Sequence, residues 1–125
     1  GIEIDEKIIE LHKKYFASSK NEERTEIIIG NAFDLSLVKN KKFDLIVCDV
    51  FNDIDVPAEL ETENYFSQIK NLLNKNGLFV FNKVLDNFKQ QEKFPSLKKD
   101  FENVFPENTI FRVLGVNRIL AGRMK

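Results

Sequence analysis

The sequence predicts an α/β fold built on a mostly parallel sheet, and three observations predict it. Apolar residues make up 42% of the 125 residues, enough to bury one core, while charged residues make up 31% and solvate the surface. Short apolar runs alternate with segments of three-to-four spacing in the order β-α-β-β-α-β-α-β-β, the alternation that implies a parallel sheet covered by helices. The strand-like runs are near-continuous in apolar residues, as strands buried on both faces should be. No repeat, low-complexity tract or linker breaks the pattern, so a single domain over residues 1–125 is expected.

Residues 1–4 read as a short strand, and Asp5 follows as an N-cap with Glu6 adding negative charge in the first turn. Ile8, Leu11 and Tyr15, with Ile9, His12 and Phe16 beside them, recur at helical spacing. Residues 17–24 are polar and loop-like. The β-branched run at 25–29 is a strand stopped by Gly30 and Asn31. FDLIV at 43–47 is the next strand, ending at Cys48 and Asp49. Residues 50–60 hold Asn52, Asp53, Asp55 and Pro57 and read as a loop.

Thr62 is the next N-cap, followed by Glu63 and by one apolar face of Tyr65, Phe66, Ile69, Leu72 and Leu73. Gly77 stands where a left-handed C-cap is expected, and residues 78–81 form a fourth strand. Pro95 is expected to open a helix as its first residue, with Leu97, Phe101, Val104 and Phe105 on its apolar face. Residues 109–114 and 117–122 are two strands around Gly115, joined too closely for anything but an antiparallel pair.

The bulk numbers bound the function. With a net charge of −1 there is no basic excess, so no nucleic-acid partner is expected. No apolar run approaches the roughly 20 residues that span a bilayer, so no membrane partner is expected, and no signal peptide is visible at the amino end. Cys48 is the single cysteine, which excludes an internal disulfide framework and a multi-cysteine metal site and points to a reducing cytoplasm. The lone His12 has no companion ligand and reads as a partly buried structural residue. Lys39, Lys41 and Lys42 read as a solvated loop, and the twelve phenylalanines as core filling.

In an open parallel sheet, ligands bind beyond the carboxyl ends of the strands. That rule selects Glu3, Asn31 and Asp49 at the ends of the first three strands, with the fourth ending near Asn82. Glu3 sits between Ile2 and Ile4, where a carboxylate can accept hydrogen bonds from the two hydroxyls of a ribose, the alternative being a solvated acid at a frayed terminus. The Asn31 amide suits the edge of an adenine ring, the alternative being a turn residue. Asp49 either caps a turn or faces a ligand, where it offsets a sulfonium charge or accepts a proton from a nucleophile.

Four stretches, GIEIDEKIIELHKKYF, EIIIGNAFDL, FDLIVCDVF and LNKNGLFVFN, stand in this order over about residues 1–85. Together they resemble the class I S-adenosylmethionine-dependent methyltransferases, and more narrowly their spermidine-synthase-like branch. The resemblance implies a Rossmann-like methyltransferase sheet, mostly parallel with a terminal antiparallel strand pair, and lacking the first strand and helix. It implies S-adenosylmethionine, or its decarboxylated form, as cofactor, and a small-molecule substrate; a homodimer is compatible with it. Glu3 matches the acid on the ribose, Asn31 and Ala32 the pair at the adenine edge, and Asp49 the acid that opens the active-site loop. Residues 50–60, with Phe51 and Asn52 nearest the substrate, match part of a gate. Two departures stand out. Aminopropyltransferases carry a second acid at the position of Asn52, so methyl transfer is the first expectation, with polyamine aminopropyl transfer and a non-catalytic dimerisation module as alternatives. The family's glycine-rich loop is also absent, since the five glycines are isolated, so the chain is expected to need a further segment or a second chain beside its sheet.

Overall fold

A computed structural model describes residues 1–16, 24–53 and 55–125, so most of the expected loop at 17–24 lies outside the described residues. The chain divides into two compact units, Gly1–Lys39 and Asn40–Lys125.

The first unit is a small βαβ arrangement. Strands β1 (Ile2–Glu3) and β2 (Ile28–Ile29) pair in parallel, Glu3 opposite Ile29. Helix α1 (Glu6–Phe16) starts where expected, because Asp5 Oδ1 accepts the Lys7 amide at 2.8 Å and the Asp5 carbonyl accepts the Ile8 amide at 3.1 Å. A 3-10 turn, Leu35–Val38, follows β2 and is capped by Asp34, whose Oδ1 accepts from the Ser36 amide and hydroxyl. The apolar face expected on α1 is covered only at Ile9; Ile8, Leu11, Tyr15 and Phe16 are exposed. The reason is area: two strands of two residues each cannot roof a three-turn helix. His12 is likewise exposed, not partly buried, and stacks on Phe16 with ring centroids 5.8 Å apart.

The second unit holds a four-stranded sheet in the order β3-β4-β6-β5, from β3 (Phe43–Cys48), β4 (Leu73–Val84), β5 (Asn108–Val113) and β6 (Asn117–Arg123). β3 and β4 are parallel, and β6 runs antiparallel to both β4 and β5. Helix α3 (Phe88–Val104) carries the chain over the sheet from β4 to β5. The tight β5–β6 connection then returns the last strand into the slot between them. Leu114 and Gly115 take φ of 48° and 82° in that connection, conformations that cost least at glycine.

Helix α2 (Glu63–Leu72) is capped as expected, with Thr62 Oγ1 accepting the Tyr65 amide at 3.1 Å. Its expected apolar face is buried throughout, from Tyr65 to Leu73.

Three expectations are corrected. Pro95 lies inside α3, not at its start, because Asn87 and Gln90 form a reciprocal capping box that begins the helix at Phe88. A proline at that depth removes the bond that would reach the Gln91 carbonyl, a local loss that the packed face of α3 outweighs. Gly77 is not the left-handed residue; Asn76 is, with φ 64°, and α2 passes directly into β4 through an extended Leu73. Gly77 is needed for closeness, since a Cβ there would lie 2.9 Å from the Asn74 carbonyl oxygen and 3.0 Å from that of Phe43. Finally, β3 is not buried on both faces: it is an edge strand, and Leu45 and Val47 are 54% and 59% exposed.

The core of this unit is aromatic. Phe66 of α2, Phe79 and Phe81 of β4, and Phe101 and Phe105 at the end of α3 are all fully buried. Their neighbouring ring centroids lie 5.2–6.1 Å apart, the range of favourable offset and edge contacts. Gly122 of β6 lets Phe105 reach the sheet, because a Cβ there would stand 2.5 Å from the ring. Core filling thus accounts for these five phenylalanines, whereas Phe16, Phe33, Phe88 and Phe111 are exposed.

Candidate functional site

The candidate residues fall in both units, and each unit assembles its own part. In the first, the parallel pairing sends β1 and β2 to the same edge. The Gly30 amide donates to the Glu3 carbonyl at 3.0 Å, which sets Glu3 beside the Gly30–Asn31 corner. A Cβ at Gly30 would sit 2.6 Å from a Leu37 methyl of the following turn, which would have to rotate away. Glu3 is half-buried, and its Oε1 accepts the Asp5 amide at 2.8 Å. Asn31 is half-buried too; its Oδ1 accepts the Phe33 amide at 3.2 Å, and its carbonyl accepts the Asp34 amide at 3.0 Å. Ala32 lies half-buried inside this turn. Both side chains therefore do local turn work through one oxygen. The second Glu3 oxygen and the Asn31 Nδ2 take no part in these turns.

In the second unit, Asp49 is the first residue beyond β3. The β3–β4 register pairs Cys48 with Phe81, which brings Asp49 level with Asn82. Asn82 Nδ2 donates to Asp49 Oδ1 at 2.9 Å, and Asn117 Nδ2 at the start of β6 donates to Asn82 Oδ1 at 3.0 Å. Asp49 is exposed, while Asn82 and Asn117 are half-buried. Behind them Cys48 is 5% exposed, and burial pushes its thiol up to about 11 despite a hydrogen bond with Tyr65. Burial raises the Tyr65 hydroxyl as well. At neutral pH both are uncharged, so the small-hydrophobe reading of Cys48 stands.

The loop after Asp49 divides into a free turn and a fixed stem. Asn52 and Asp55 exchange backbone hydrogen bonds of 2.8 and 3.1 Å around Asp53, whose φ is 57°. Phe51 is half-buried and Asn52 exposed. Beyond the turn, Asp55 accepts from Gln90 Nε2 at 2.5 Å, Val56 and Leu60 are buried, and Glu61 meets Lys83 at 2.5 Å. The Glu61 and Lys83 side chains are 14% and 4% exposed, so this ion pair is desolvated and ties the end of the stem to β4.

Sequence reasoning reached Asp49 but not the contacts it makes. Asn82 was visible as a polar residue at a strand end. Asn117 gave no signal, because its neighbour across the sheet depends on β6 entering between β4 and β5. Lys83 could have been suspected as a lone charge following an apolar run. Among the described residues no group of His, Cys, Asp and Glu is arranged to hold a metal ion, and no helix is long and apolar enough to cross a membrane.

Residues 1–122 match the family model described as the spermine/spermidine synthase domain. Among curated relatives, the polyamine aminopropyltransferase of Buchnera aphidicola subsp. Schizaphis graminum is 32% identical over 110 residues, covering 82% of this chain and 38% of that protein. The polyamine aminopropyltransferase of Bacillus cytotoxicus is 28% identical over 114 residues, covering 88% of this chain and 41% of that protein. The chain thus spans about two fifths of the length of the curated relatives it matches. Among solved structures, human methyltransferase-like protein 13 in complex with SAH superposes with a TM-score of 0.80 at 24% identity, over 99% of this chain and 60% of that one. A probable spermidine synthase from Corynebacterium glutamicum superposes with a TM-score of 0.79 at 21% identity, over 98% of this chain and 46% of that one. At these identities the structural likeness concerns the fold, which is the Rossmann-like methyltransferase fold expected from the sequence.

Proposed function

Because the chain belongs to the spermine/spermidine synthase domain family, we propose that it supplies part of an alkyl-transfer site for an adenosyl sulfonium donor. In this reading Glu3 accepts the ribose hydroxyls, Asn31 and Ala32 meet the adenine edge, and Asp49 receives the acceptor amine, with Phe51 and Asn52 beside it. The acceptor nitrogen attacks the carbon next to the sulfonium, the carbon–sulfur bond breaks, and Asp49 takes the proton that the nitrogen loses. The observation that carries the reading is the Asp49 carboxylate standing beyond β3, held by the Asn82 amide.

Aminopropyl transfer from decarboxylated S-adenosylmethionine to a small amine is the finer reading, supported by the names of the curated relatives. Methyl transfer from S-adenosylmethionine, the first expectation from the sequence, becomes the second reading. It is favoured by Asn52, an exposed neutral amide where the resemblance implies a second anion for a polycation. Cytoplasmic residence belongs to the proposal and rests on the single, buried cysteine. The glycine-rich loop would come from residues beyond these 125. β3 supports that part of the proposal, being an edge strand whose exposed Leu45 and Val47 a further strand and its helix would cover.

Product analysis decides between the two transfers. The full protein, given decarboxylated S-adenosylmethionine and putrescine, is expected to release methylthioadenosine and spermidine. Release of S-adenosylhomocysteine from S-adenosylmethionine, with no turnover of the decarboxylated donor, would reverse the order of the readings. No turnover of either donor with amine acceptors would count against both.

A further inference from the structure

The geometry points to Asn82 and Asn117 as a two-step positioning relay that fixes the Asp49 carboxylate, an inference that rests on the reading of Asp49 as the group facing the acceptor. The three side chains come from three adjacent strand tips. Asp49 follows β3, Asn82 lies in β4 and Asn117 opens β6, and two hydrogen bonds of 2.9 and 3.0 Å join them in one line.

The direction of each bond is set by the next. Asn117 donates into Asn82 Oδ1, so Asn82 can present only its Nδ2 to Asp49. A flipped Asn82 amide would set its oxygen against a carboxylate oxygen and its NH2 against the NH2 of Asn117, losing both bonds at once. Asn117 is placed by the ladder itself, opposite Val84 and two residues along β6 from Ile119, which faces Asn82. The relay therefore converts sheet register into the orientation of one carboxylate. With Oδ1 engaged by a charge-assisted bond, the carboxylate is held in one rotamer, and its Oδ2 is presented to the acceptor.

The same strand pair carries an internal control. At the opposite end of β3 and β4, Asn74 Nδ2 donates to Asp44 Oδ1, also at 2.9 Å. The chemistry is the same, but the pair stands at the amino-terminal end of β3, away from the edge that holds Asp49.

The test is a set of variants in the full protein, read by kcat, donor KM and thermal midpoint. Asn82→Ala is expected to lower kcat about 10- to 100-fold, the range for losing a hydrogen bond to a charged group, with donor KM within about twofold. Asn117→Ala is expected to lower kcat about 3- to 10-fold, the loss of a bond between neutral groups, and Asn74→Ala to leave it unchanged. Because the relay acts through Asp49, Asp49→Asn combined with Asn82→Ala should be no slower than Asp49→Asn alone. A purely structural role for Asn82 would instead add to the loss. Should Asn82→Ala fold poorly, Asn82→Leu keeps the volume, removes the donor without adding charge and should depress kcat at least as far. Full activity in Asp49→Asn would refute the functional reading. Loss in Asp49→Asn with normal kcat in Asn82→Ala, or additive losses in the double variant, would overturn the relay alone.

Discussion

Asp49→Asn in the full protein is expected to lower kcat by about 10²- to 10⁴-fold, the range for removing a positioned general base. Donor KM should move far less, because the proposed contacts to the adenosyl group come from Glu3, Asn31 and Ala32. The substitution suits the test because it changes charge and not size. An asparagine at 49 still offers an oxygen to Asn82 Nδ2, so the line of side chains across β3, β4 and β6 keeps its geometry. Asp49 is also exposed, so the change leaves no cavity. Steady-state kinetics beside a thermal melt check the outcome. A variant within threefold of wild-type kcat and equally stable would remove Asp49 from the chemistry.

The largest stability effect is expected at Phe79. Its ring meets Phe66, Phe81, Phe101 and Phe105, so it joins α2, β4 and the end of α3 in one contact set. It is fully buried, and its backbone pairs with Gly122, where the chain is kept bare to admit Phe105. The surrounding rings are held by three elements and can close only part of the space left by truncation. Phe79→Ala should therefore cost about 3–5 kcal/mol. Since domains are stable by only about 5–15 kcal/mol, a large part of the folded population is at risk. Urea unfolding followed by far-UV circular dichroism measures it. A loss below about 1 kcal/mol would mean that the aromatic cluster relaxes freely, against close packing.

Much of the fold was legible in the sequence, because it depends on local signals. Thr62 read as a cap and is one, the face from Tyr65 to Leu73 read as buried and is, and the order of strands and helices matches. What failed depended on competing local signals or on distant residues. Pro95 resembled a helix start, but the Asn87–Gln90 capping box had already begun the helix. The apolar stripe of α1 does not reveal that β1 and β2 are too short to cover it. Gly77 carries no mark that separates a left-handed residue from one crowded by the Phe43 and Asn74 carbonyls. The candidate site divides in the same way. Glu3, Asn31 and Asp49 stand out in the sequence as candidates because each is a polar residue at or near the end of a strand-like run. Asn117 does not, because only the insertion of β6 between β4 and β5 brings it to Asn82.

In the proposed function the adenosyl group is held by Glu3 and Asn31 at the ends of β1 and β2. A crystal structure of the full protein with methylthioadenosine tests it most directly. The expected result is both ribose hydroxyls within about 3 Å of the Glu3 carboxylate and the adenine edge against Asn31. A nucleoside seated elsewhere, or with Glu3 and Asn31 out of hydrogen-bond reach, would contradict it.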